Sequence, residues 1–347
     1  MGSGIRGRVL NPVQCAWRDL ADVPATGEGW KTQRIHPEAP CPVRAAIREP
    51  GGMPAVLIEV AAAAMRPVVE YPTGRGFQVI VEPIRPGSGG EVRLCLLLTE
   101  TAYADVFGTL ADDVAANVAA CRNAGEAVAR LLSRLHAWQA IMRRHADGLT
   151  GEEQTGLFAE LLFLAHLIGA GMLPGQALEG WKGPDDGLRD FVFGECEIEI
   201  KASVGTAGRF AVACLDQLDD GPRDLILAFT RMQEATGGFT LPELVSDLRR
   251  MIVETEPGVL PWFNTLLSST GYFDVHAHRY SVRRLAVRET QFFSVEDGFP
   301  RITQRAVPAG VVDARYTVDV RACAPFAIAA DRALEIVMSR GAEGREP

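Results

Sequence analysis

Lysine is nearly absent from this chain of 347 residues, which has 32 Arg but only Lys31, Lys182 and Lys201. The two cations differ: an ammonium is a compact charge with movable donors, a guanidinium a fixed planar fork. Each Lys in such a chain therefore asks for a reason. Positive charge is in deficit overall, with a net charge of −9, which argues against coating nucleic acid by charge alone. It does not exclude a site of carboxylates that a cation neutralises. The seven Cys show no CxxC spacing, so neither a zinc knuckle nor a disulfide frame is expected, and the chain reads as reduced and cytosolic. The first 30 residues hold Asp19, Asp22, Pro24 and Glu28, with no apolar run of signal-peptide length. The longest apolar stretch, 156–172, contains Glu160 and His166. It reads as a buried helix rather than a membrane span, and no membrane partner is expected. GxSxG, HExxH and a glycine-rich phosphate loop are missing too, which removes the common hydrolase and nucleotide-binding signatures.

What is present centres on Asp190-Phe-Val-Phe-Gly-Glu-Cys-Glu-Ile-Glu-Ile-Lys201. It predicts two short strands joined by a tight turn at Gly194-Glu195. In the second, Cys196, Ile198 and Ile200 face one way and Glu197, Glu199 and Lys201 the other. An Asp, then a Glu two residues before a Lys on one strand face, can bring two carboxylates and an ammonium to one divalent cation. An edge strand with a solvated ExExK face is the plainer alternative. Asp185 and Asp186 compete with Asp190, although beside Gly187 they also suit a turn. Asp190 is preferred because the strand after it would hold it rigidly.

Along the chain, residues 1–50 read as irregular. Runs at 55–60, 77–84 and 91–99 predict an antiparallel meander. From residue 104 two amphipathic helices follow, broken near Asn123, with Trp138 as a core anchor. Thr150-Gly-Glu-Glu153 is a capping box opening a helix that is apolar on nearly every side. Glu160 lies inside that helix with no cation within four residues, so it needs a positive partner, a metal or a distant Arg, or a place at the helix edge. His166 reads as a core histidine rather than a ligand. Residues 174–189 read as a loop. A strand or short helix is expected at 210–215, a core strand at 225–229, a second capped helix from Thr240, a short helix at 262–267, strands at 280–287, 291–295, 300–303 and 314–320, and a closing helix at 326–338. The expected domains are a β-rich module (1–103), a helical connector (104–148) and an α/β domain with a β-rich extension (149–347).

The order of a buried helix with Glu160, Asp190 before a strand, Glu199-Ile-Lys201 on its hairpin partner, and then a strand and helix resembles the PD-(D/E)xK nuclease superfamily. In particular it resembles the restriction-type family named PD-(D/E)XK motif protein. The matching stretches are Gly156–Leu164, Trp181-Lys-Gly-Pro184, Arg189-Asp-Phe191, Glu199-Ile-Lys-Ala-Ser203, Asp216-Gln-Leu218, residues 292–302 and Ala314–Val318. Arg189 departs from the His that the family often carries there. The resemblance implies an α/β (α+β) restriction-endonuclease-like core, a mixed central sheet flanked by helices, beside the N-terminal antiparallel module. It implies metal-dependent DNA cleavage in a restriction-like phage-defence system, with a methyltransferase and a helicase or ATPase as partners, and a homodimer where both strands are cut. Asp190, Glu199, the carbonyl of Ile200 and Glu160 would hold Mg²⁺ or Mn²⁺. Lys201 would orient water or stabilise developing charge, and Gln217 would position water or phosphate. Arg189, Lys182 and Arg209 are candidate contacts to the nucleic-acid backbone. The alternative is a non-catalytic DNA-binding or assembly subunit that keeps the fold.

Overall fold

The computed structural model describes residues 12–24, 27–65, 71–85, 90–185, 187–206, 208–219 and 223–343. The chain forms two compact units, one of Met1–Gly148 with Leu267–Val275, the other of Leu149–Leu266 with His276–Pro347.

Unit 1 opens with helix α1 (Pro12–Ala21) and strands β1 (Gly29–Ile35) and β2 (Val43–Glu49), where the sequence reads as irregular. The strands escape notice because β1 is mostly polar (Gly-Trp-Lys-Thr-Gln-Arg-Ile) and β2 is built on small alanines. Strands β3 (Met53–Ala61), β4 (Phe77–Pro83) and β5 (Glu91–Leu98) complete an all-antiparallel sheet in the order β1-β2-β3-β5-β4. The expected meander is thus crossed once, since β3 pairs with β5 and β4 takes the edge. Although β1 and β4 are the two edges, the Trp30 indole N–H donates to Glu82 at 3.2 Å. The sheet therefore curls, and its concave side encloses Ala46, Ala55, Leu57, Cys95 and Leu97. Burial, with Glu82 beside it, pushes the Cys95 thiol up to about 12. Helices α2 (Ala104–Ala119) and α3 (Ala124–Arg144) belong to the core of the convex side. Asn123 caps α3, and Trp138 is buried with its N–H on Asp113 at 2.8 Å.

Unit 2 begins with α4 (Gly151–Gly169), whose Thr150/Glu153 capping box is formed, a device that contributes about 1 kcal/mol. His166 is exposed near its end, not a core histidine. The stretch read as a loop contains α5 (Pro174–Gly180), opened by Pro174 in the position where a missing N–H costs nothing. Strands β6 (Phe191–Phe193) and β7 (Cys196–Val204) form the hairpin, with Gly194 at φ 54° in the turn. Then come β8 (Arg209–Val212), β9 (Asp224–Phe239), α6 (Leu241–Thr255) behind the Thr240/Glu243 capping box, α7 (Leu260–Ser269), α8 (Ala277–Tyr280), β10 (Leu285–Ser294), β11 (Tyr316–Asp319), β12 (Ala327–Ile328) and α9 (Ala330–Glu343).

The central sheet runs β12-β10-β9-β7-β6, with β7 and β9 parallel and the other pairs antiparallel, and β8 with β11 forms a separate ribbon. Three strand expectations need correction. β9 is 16 residues long because its polar, glycine-containing second half is carried by pairing with β10. The two strands expected at 280–287 and 291–295 are the single β10, interrupted by an irregularity between Val287 and Glu289. Residues 300–303 form no strand.

Residues paired across a sheet share a face. Phe191, Ile198 and Ile226 share one face with Ile200, Ala228 and Phe292. There the Phe163 ring of α4 meets Phe191 at 5.0 Å and Phe292 at 6.4 Å. On the other face, Leu227, Phe229 and Phe293 pack with Phe210, Val212 and Val318 of the ribbon. Each side chain so buried contributes about 1.5–3 kcal/mol. This double cover makes a rigid support for β7.

Candidate active site

β6 is three residues long and pairs with β7 only at positions 196–198. From Glu199 onward β7 has no strand neighbour on that side among the described residues. The side chain of Asp190, immediately before β6, fills this gap and accepts the Ile200 backbone N–H at 2.6 Å. The Asp190 carbonyl in turn accepts the N–H groups of Lys182 (2.7 Å) and Gly183 (3.2 Å). The Trp-Lys-Gly-Pro turn therefore holds Asp190 through its backbone.

Glu199 lies on the opposite face of β7 from Ile198 and Ile200 and is 1% exposed. Its Oε1 is 2.8 Å from Lys201 Nζ and accepts from Gln217 Nε2 at 2.6 Å. The Gln217 amide oxygen accepts the Ala213 N–H at 2.7 Å, which fixes the amide with its donors toward Glu199. Oε2 of Glu199 is buried and meets no hydrogen-bond donor among the described residues. Gln217 thus positions a carboxylate here, rather than the water or phosphate expected of it.

Glu160 reaches the same place from α4. Its hydrogen-bond partner is Trp181, whose indole N–H donates to Oε2 at 2.8 Å. The turn must pass close by, because a Cβ on Gly183 would lie 2.5 Å from that oxygen. Burial above all, and then Asp190, push the Glu160 carboxyl well above its usual range. Asp190 is raised mainly by burial, against the pull of the Ile200 N–H. Burial and then Asp190 push Glu199 up to about 8, against the opposing pull of Lys201. Glu160, Asp190, Glu199, Lys201 and Gln217 are thus brought together, with one ammonium among three carboxylates, Glu199 fully buried and the other two partly.

Arg189 is not the backbone contact expected for it. It is 4% exposed and donates to Glu197 (2.9 Å), the Asp216 carbonyl (2.9 Å) and the Asp219 carbonyl (2.7 Å). Arg223 completes the pair by donating to the other oxygen of Glu197 at 2.9 Å. Arg189 therefore ties the hairpin to the 3₁₀ turn 215–218 that carries Gln217. Arg209 is exposed on β8. Asp186, a competitor for the role of Asp190, lies outside the described residues. Trp181, Gly183 and Arg189 take part in ways the sequence reading missed. A glycine in a turn opposite a buried carboxylate was the available signal for Gly183.

A family model described as "Putative PD-(D/E)XK family member, (DUF4420)" matches residues 13–321. The chain belongs to that family. No curated protein and no solved structure matches it. The match extends from α1 of unit 1 into the 3₁₀ stretch after β11, so the family comprises both units and not only the hairpin. The PD-(D/E)XK superfamily consists usually of nucleases, which commonly use divalent metals.

Among the described residues no three His, Cys, Asp or Glu side chains are grouped to hold a metal. Mg²⁺ does not demand such a cage: it takes one or two carboxylates and keeps several waters. The orphaned oxygen of Glu199 and the carboxylate of Asp190 are hard oxygen donors of that kind. Burial that disfavours their charge is what a cation offsets. The residues fit a hard divalent cation.

Proposed function

We propose that this protein is a metal-dependent DNA endonuclease, acting in a restriction-like phage-defence system beside a methyltransferase and a helicase or ATPase. The observation that carries this reading is Glu199. A fully buried carboxylate, held on one oxygen by Lys201 and Gln217 and left bare on the other, is costly unless something positive arrives. Asp190, Glu199 and the Ile200 carbonyl would hold the cation, with Glu160 at its side. A bound divalent cation supplies charge to neutralise a phosphodiester and to activate the water that attacks it. The rest is the chain's own work. Gln217 keeps Glu199 oriented. The Ile200 N–H keeps Asp190 turned toward β7. Lys201, 14% exposed, can donate to a phosphate oxygen as charge develops there, since it has movable donors and, among the described residues, one fixed bond, to Glu199. Cutting both strands calls for two such sites, hence a homodimer.

The test is cleavage of plasmid and linear DNA with Mg²⁺ or Mn²⁺, unsubstituted chain beside Lys201→Ala. Metal-dependent cutting should fall about 10²–10³-fold in the variant, the usual cost of losing one donor to a developing charge. A folded Lys201→Ala that cuts as well as the unsubstituted chain refutes the assignment.

A second reading has its own support in the net charge of −9 and in the occupation of Glu199 Oε1 by Lys201. It makes the chain a non-catalytic DNA-binding or assembly subunit. Calorimetric titration separates the two, because the subunit reading predicts no binding of Mg²⁺ or Mn²⁺.

A further inference from the structure

The face of β7 that carries Glu199 and Lys201 continues to Ser203, two residues on and about 7 Å along the strand. Ser203 pairs across to Arg231 of β9, and Arg231 pairs across to Glu289 of β10. In the row before it, Lys201 pairs with Phe229 and Phe229 with Gln291. Beyond these rows opens a cleft of about 830 Å³, lined among others by Thr206, Arg209, Arg231, Glu289 and Gln291. Two polar atoms of these rows are buried with no hydrogen-bond partner among the described residues: Arg231 Nε, in the wall of the cleft, and Ser203 Oγ, on the strand beside it. The Arg231 guanidinium is paired through one terminal nitrogen with Glu289 at 2.7 Å.

A buried hydroxyl and a buried guanidinium N–H left bare on adjacent strands are costly unless a ligand satisfies them. A hydroxyl with a guanidinium is the donor set that proteins turn toward nucleic-acid phosphates. Both lie on the strand face of the candidate catalytic residues, at about the reach of one backbone step of a nucleic acid. We infer that Ser203 and Arg231 form an anchoring subsite for the phosphodiester next to the one being cut, with the cleft receiving the nucleotide attached to it. This rests on the nuclease reading above. Glu289 then acts as a stand-in: it neutralises Arg231 in the free protein and must yield when the phosphate arrives.

The stand-in role gives predictions of opposite sign. Binding of a fluorescent duplex is measured by anisotropy in Ca²⁺ or EDTA, across a salt series, so that no cutting is needed. Arg231→Gln should bind about tenfold more weakly and lower the slope of log affinity against log salt by about one. Ser203→Ala should bind more weakly with the slope unchanged. Glu289→Gln should bind more tightly than the unsubstituted chain. If Arg231 and Glu289 were only a structural ion pair, both substitutions would weaken binding alike or leave it unchanged, and either result overturns the subsite. A chain that cuts DNA while its Arg231→Gln variant keeps full affinity and slope loses the subsite and keeps the nuclease. An unsubstituted chain that neither binds nor cuts loses both.

Discussion

Glu199 is held where its charge is least welcome, and this has a measurable consequence without any substrate. Its carboxyl is raised from the usual 4.5 to about 8 by burial and by Asp190. Between those values the folded chain keeps a proton that the unfolded chain has released. Stability contributed at this position is therefore full below about pH 4.5 and is lost as pH rises toward 8. Glu199→Gln removes the titration and keeps an oxygen for Lys201 and Gln217. In EDTA, the variant should gain on the unsubstituted chain as pH rises from 5 to 8, by on the order of 1–3 kcal/mol at pH 8. Urea midpoints at the two pH values measure the difference, in which other titrating groups cancel. Adding Mg²⁺ at pH 8 should stabilise the unsubstituted chain and not the variant, since an ion that binds only the folded form adds stability by mass action. A difference that does not change with pH would show that Glu199 titrates normally.

The hairpin and the 3₁₀ turn beside it depend on Arg189, and the cost of removing it should far exceed that of a surface change. Arg189→Met leaves Glu197 with only the half-exposed Arg223 and strips donors from two backbone carbonyls. Breaking a buried pair this way costs roughly 3–5 kcal/mol, whereas losing the cap in Thr240→Ala costs about 1 kcal/mol. Denaturant midpoints for the two variants should rank in that order, and equal losses would mean that the Arg189 network carries little. Legibility in the sequence follows the same division between local and distant causes. The capping boxes at Thr150 and Thr240, the alternation of β7 and the apolar period of α3 are written within a few neighbouring residues, so they can be read directly. Strand β1, the second half of β9 and the charged middle of β10 are strands only because a partner strand lies beside them, and pairing is not visible in one segment. At the site, the grouping of Asp190, Glu199 and Lys201 could be read from a twelve-residue stretch. The roles of Trp181 and Arg189 could not, because each is set by contacts 8 to 30 residues away.

Unit boundaries do not coincide with a single cut in the chain, and that bears on any attempt to isolate the candidate site. Every residue of the site and of the adjoining cleft lies in the unit built from 149–266 and 276–347, but the segment 267–275 between those parts belongs to the other unit. Its Phe273 is buried, 3% exposed, in the core shared with α1, α2 and α3. A fragment starting at Leu149 keeps the carboxylates, Lys201 and the capping box of α4, yet strips the cover from Phe273. Fully exposing such a side chain forfeits about 1.5–3 kcal/mol and adds an apolar point to the surface. The fragment 149–347 should therefore bind Mg²⁺ by calorimetry, because the site is complete within its unit, while self-associating in sedimentation. Phe273→Ser should relieve the self-association in the fragment and destabilise the whole chain, where the same ring is core. A fragment that stays monomeric with Phe273 intact would show that 267–275 folds back onto its own unit once the N-terminal residues are gone. A fragment that is folded and monomeric after Phe273→Ser but binds no Mg²⁺ would instead count against the metal site itself.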